Sequence, residues 1–241
     1  MNYINDIISF LNCECELIEN PKSAEAVFDA YKEMLSKGKS EGFTPVIIIP
    51  SEVMCDVMGD FYSICGSNSP SDIIAKSKDI NVANLLEQRL KYTMPEEEEF
   101  QQEVIGEFQE LLPVKNFISL LDYGTSKIYD RIIIAKIPTC NPWEVAAWIP
   151  NMAGGNEFPL PEEQIAIFKH WYEKYGAVPT IAHFDIWELY VENPVQTQEA
   201  AVDLAWEQFS FCSDVVHQGV GTVKALASAL LDSNVWYFWW D

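Results

Sequence analysis

The chain has 241 residues, 49% of them hydrophobic, and a formal net charge of −22. That is enough apolar material for one large core or two modest ones. The acidity argues against nucleic acid, anionic membranes and nucleotides as partners, because only Arg89 and Arg131 offer the bidentate fork that reads phosphate.

The charge is not a tail: residues 138–241 hold 14 acids and 3 lysines, and residues 1–137 hold 23 acids and 12 bases. No apolar run approaches the length that spans a bilayer. The opening stretch lacks a basic region and a small-residue cleavage site, so no secretory signal is expected. Six scattered cysteines read as reduced thiols, and the expected location is the cytoplasm.

In chain order, "YINDIISFLN" has helical spacing and "ECELIEN" reads as a strand closed by Pro21. Ser23 can cap a helix whose apolar face is Ala26, Val27, Ala30, Tyr31 and Met34, with Gly38 as its end. "TPVIIIP" is a short apolar run between prolines, the pattern of a buried strand. Residues 51–92 read as helical, broken around "CGSNSPSD". "MPEEEEFQQEVIGEFQELLP" reads as one helix with its acids in the first turn, where the helix dipole favours them. "NFISLLDY" and "RIIIAKIPT" flank the turn "GTSK" as a hairpin.

Composition changes at Pro138, beyond which all eight tryptophans lie. Two regions are expected, an N-terminal α/β region over 1–137 and a tryptophan-rich α/β domain over 138–241. The second reads as a short helix "PWEVAAWIP", a loop "NMAGGNEFP", a helix ending at Gly176, strands "VPTIAHF" and "IWELYVE", a helix capped by Thr197, a helix "TVKALASALL" and a last strand "VWYFWW". That strand alternates Val235, Tyr237 and Trp239 against Trp236, Phe238 and Trp240. Both faces are apolar, so it is expected between other strands, covered on both sides. The fold class is α+β or α/β, a mixed sheet flanked by helices.

"NPWEVAAWIPNMAGGNEFP", "HWYEKYGAVPTIAHFDIWELYVENP", "EAAVDLAWEQFSFCSDVVHQG" and the terminal "WYFWWD", in that order, resemble a bacterial domain of unknown function, family 4253, over about Pro138 to Asp241. The resemblance implies membership alone, since no activity, cofactor or partner attaches to that family. Residues 1–137 resemble no family.

Polar groups among the tryptophans are the candidate site. Gly154, Gly155 and Asn156 allow close backbone approach to a ligand, or make a turn between helices. His183 and Asp185 point the same way if extended, as an acid/base pair would, or form a turn beside Glu188. Glu144 shares a helix face with Trp148, where a carboxyl against indole can become an acid, or it is a first-turn glutamate held by the dipole. Cys13 and Cys15 read as two thiols on one strand face. No phosphate loop, nucleophile elbow or zinc signature is present; no cofactor and no metal site is expected.

Two functions fit. One is an immunity-like protein that binds a basic protein partner stoichiometrically, its charge steering the encounter. The other is an enzyme or small-molecule binder whose pocket gathers Trp143, Glu144, Trp148, Asn156, Trp171, His183, Asp185 and Glu188. Convergence of the polar groups on one cleft favours the second; their dispersal favours the first.

Overall fold

"TPVIIIP" forms the buried middle of one six-stranded sheet. The structure, a computed structural model, describes residues 3–64, 66–94, 97–152, 155 and 157–241, with the backbone alone for Glu99 and Phe100. The elements are α1 (Tyr3–Leu11), β1 (Cys15–Glu19), α2 (Ala24–Glu41), β2 (Thr44–Ile48), α3 (Glu52–Met58), α4 (Phe61–Ile64), α5 (Pro70–Ser77), α6 (Val82–Thr93), α7 (Glu98–Ile105) and β3 (Arg131–Ile137). A 3₁₀ turn (Pro142–Ala147) follows, then α8 (Pro161–Tyr175), β4 (Ala177–Ala182), β5 (Ile186–Val191), α9 (Gln198–Phe211), a π-helical turn (Val215–Val220), α10 (Val223–Leu230) and β6 (Val235–Trp239).

Local chemistry sets the helix starts. The side chains of Ser23, Ser51, Ser69, Asn81, Thr197 and Thr222 each accept a hydrogen bond from the backbone N–H three residues on, satisfying a donor the helix itself leaves open. Gly176 closes α8 in the left-handed conformation, as expected. Helix α2 runs past Gly38 to a left-handed cap at Gly42. Gly38 is instead a packing glycine: a Cβ there would lie 2.3 Å from the Phe43 carbonyl oxygen.

The strand order is β1-β3-β2-β4-β5-β6, with only β2 and β4 parallel. Strands from both sides of Pro138 thus pair in one sheet, for β2 lies between β3 and β4. All five residues of β2 are buried, because both faces are covered. Val46, Ile48, Ile133, Ala135, Trp187 and Leu189 face the larger core, under α1 and most of the other helices. Ile47, Ile49, Ile132 and Ile134 face a smaller one beneath α2, with Val27, Tyr31 and Met34. Among the described residues no helix is long and apolar enough to cross a membrane.

Three elements differ from the sequence reading. Helix α7 is short, because Gly106 turns the chain at φ 62° where a Cβ would lie 2.4 Å from Thr222. The chain then runs irregularly along α10, with the Gln109 N–H donating to Ser228 and that of Val114 to Ser233. The expected first hairpin strand does not form; only a single bridge, Leu121 to Ile128, survives. Lastly, β6 joins the sheet at its edge, paired among the described residues only with β5, and not between strands. One face of β6 is sealed, with Trp236, Phe238 and Trp240 all buried, while Tyr237 and Trp239 on the other are half-buried.

Candidate functional site

The carboxyl ends of the parallel pair β2 and β4 meet where the Ile49 N–H donates to the Ala182 carbonyl. Open α/β sheets favour ligand sites at such strand ends. His183, Phe184 and Asp185 follow, closed into a tight turn by the His183 N–H donating to Ile186. His183 Nδ1 lies 2.7 Å from Asp185 Oδ1; a carboxylate only accepts, so Nδ1 is the donor. Asp185 Oδ2 accepts from the Trp239 indole at 3.2 Å, which ties the turn to β6. His183 and Asp185 thus meet within a turn, the alternative to the extended geometry that would also have aligned them, and the two side chains are mostly buried, 14% and 15% exposed. Tyr129 stands beside this pair, its ring centroid 6.5 Å from that of His183.

Glu188 lies on the same sheet face and is fully buried. Its two oxygens accept from the Ile118 and Ser119 N–H groups, each at 3.0 Å. Burial pushes its carboxyl above the usual range, against the pull of those two amides. Opposite it on β6, burial raises the Tyr237 phenol, and the nearby Glu188 and Asp185 charges add to that. Glu188 thus clamps the irregular segment before β3 onto the sheet.

Trp143, Glu144, Trp148 and Trp171 belong to the other face. Trp171 is buried, stacked on Phe238 at 5.4 Å, and its indole donates to Glu207 at 2.8 Å. His170 Nε2 and Lys174 Nζ reach the same carboxylate at 3.1 and 2.8 Å. Burial alone would raise the Glu207 carboxyl, but hydrogen bonds from His170, Lys174 and Trp171 hold it down at about 2. Gln164, also buried, accepts from Trp187 and Asn151 and donates to the Pro159 carbonyl. The sequence reading named Trp171 but missed Glu207 and Gln164, on which these groups centre. Their one signal was a lone polar residue inside an apolar helix stripe.

Trp143 packs on Tyr172 at 4.9 Å, and Glu144 accepts from Thr139 at 2.5 Å and Asn141 at 3.0 Å. Both line an open cleft of about 400 Å³ between α5, the 3₁₀ turn and α8, with Lys169 and His170. Trp148 packs half-buried against the larger core. Asn156 and Gly154 lie outside the described residues. The sheet therefore separates His183, Asp185 and Glu188 from Trp143, Glu144 and Trp171. Cys13 and Cys15 do come together, their sulfurs 4.0 Å apart.

No curated protein and no solved structure matches the chain. The family match starts inside β3 and takes in β4, β5 and β6, while β2, which lies between β3 and β4, is outside it. It covers residues 133–241, which match the model described as Domain of unknown function (DUF4253), the family their tryptophan-rich motifs resemble.

Proposed function

We propose that the protein acts by stoichiometric binding to a basic protein partner, in a bacterial cytoplasm, and not by turnover. The observation that supports this most is the imbalance of usable charge. Lys32, Lys37, Lys91, Lys136, Lys169, Lys174 and Lys224 each pair with an acid of the chain itself. Arg89 is spent on the carbonyls of Ser210, Phe211 and Glu157. A surface with a net charge of −22, on which eight of the fifteen lysines and arginines are engaged in this way, attracts a cationic protein and speeds the encounter. The polar candidates of the sequence also have internal duties: Glu188 holds a loop, Asp185 a turn, and Glu144 the start of the 3₁₀ turn. The five described cysteines are free thiols, which fits a reducing compartment.

The test is recovery of the tagged chain from its host at low and high salt. The expected result is one basic protein, held in equal stoichiometry, released by salt and lost on charge reversal of exposed glutamates. A folded His183→Ala/Asp185→Ala variant should keep the partner. If that variant loses biological activity while charge reversals change nothing, the reading fails. The cleft at Trp143 and Glu144 supports the second reading, a small-molecule binder or enzyme, and binding of a metabolite there would establish it.

A further inference from the structure

Among the described residues β6 has one partner strand, and its other edge carries no strand but is flanked by Val114 and the π-helical turn. The Trp240 N–H donates to Asp185 and the Val191 N–H to the Asn234 carbonyl, so the even-numbered residues of β6 exchange hydrogen bonds with β5. By antiparallel alternation, Val235, Tyr237 and Trp239 point their N–H and C=O groups away from the sheet. Among the described residues only the Cys212 thiol reaches this edge, on the Trp239 carbonyl. Native sheets blunt such edges with lysine, proline or a bulge. "VWYFW" has none of these.

A groove of about 190 Å³ runs along that edge, walled by Val220, Leu226, Leu230 and Trp236. It is smaller than the cavities that take drug-sized molecules, and suits one large side chain. Two residues of its lining, Gln208 and Trp236, each 1% exposed, hold a buried N–H donor with no partner among the described residues. Asp214 lines the groove, Asp232 precedes β6 and Asp241 follows it. Lys115, the cation beside the start of β6, is taken up by the Asp232 carbonyl and Asn234.

We propose that the β6 edge and its groove receive an extended segment of the basic partner as a seventh strand, with an aliphatic side chain in the groove and lysine or arginine on either side. This rests on the binding reading above and names the surface that carries it. The mode is strand addition, in which main-chain hydrogen bonds give affinity and the pocket gives selectivity.

The probe is a blocked peptide, Lys-Lys-Val-Thr-Leu-Thr-Val-Lys-Lys, added to the full chain, with amide hydrogen exchange as the readout. At saturation the Tyr237 amide should exchange about tenfold more slowly, and a Tyr237→Pro variant should bind about tenfold more weakly, because that N–H points away from β5 and its loss spares the sheet. If Tyr237→Pro does not fold, the peptide N-methylated at alternate residues carries the same test against the unaltered protein. Unchanged affinity with either one overturns the edge site. Salt-sensitive binding that protects another surface also overturns it and leaves the basic-partner reading standing. A glutamate-flanked peptide that binds as well as the lysine-flanked one removes the charge argument from both.

Discussion

Replacing Glu207 by Gln keeps the shape of the side chain and deletes its charge. The carboxyl is 18% exposed and is held at about 2, against an ordinary value of 4.5. A carboxyl whose folded pKa is depressed adds stability above its unfolded value and loses it as pH falls towards the folded one. The shift corresponds to about 3 kcal/mol at neutral pH, a large part of the roughly 5–15 kcal/mol that holds a domain together. Linkage removes about 0.8 kcal/mol of it by about pH 4 and about 2 kcal/mol by about pH 3. The wild-type advantage over Glu207→Gln should shrink by those amounts. Urea unfolding followed by tryptophan fluorescence measures it, since Trp171 donates directly to this carboxylate. Subtracting the variant cancels the other carboxylates, which titrate in both proteins. A stability difference that stays constant from about pH 7 to about pH 3, or grows in acid, would refute the assignment of Glu207 as the charged centre of this cluster.

Deletion of Val235–Asp241 removes Trp236, Phe238 and Trp240, all buried, each worth about 3–5 kcal/mol on truncation to alanine, so no cooperative melt should remain. Glu188→Ala strands the amides of Ile118 and Ser119 and should cost about 2–4 kcal/mol in chemical denaturation, with Glu188→Gln costing less because it keeps an acceptor. Duplex DNA or RNA at micromolar protein should give no salt-sensitive mobility shift, given a net charge of −22; such a shift would contradict the charge argument.

Some element boundaries were legible in the sequence because their causes are local. Ser23, Thr197 and Gly176 act within one turn of the chain, and the alternation of β6 encodes which side chains share a face. Periodicity names a face but not a neighbour. It could not place β6 at the sheet edge, since an interior strand and a covered edge strand bury the same residues. The lost hairpin has a similar cause: Glu188, far along the chain, accepts from the consecutive N–H groups of Ile118 and Ser119, which a strand would point to opposite edges. Gly38 lies inside α2 because the Phe43 carbonyl packs on it. The site divides in the same way. The His183–Asp185 contact spans two residues and closes within the turn that the sequence offered as the alternative to an extended segment. The cluster that draws His170, Trp171 and Lys174 onto Glu207 joins two helices, and the sheet between Glu144 and His183 keeps apart two segments that the pocket reading had gathered. Spacing along the chain fixes the direction of a side chain over a few residues; which side chains meet beyond that is decided by how the helices pack on the sheet.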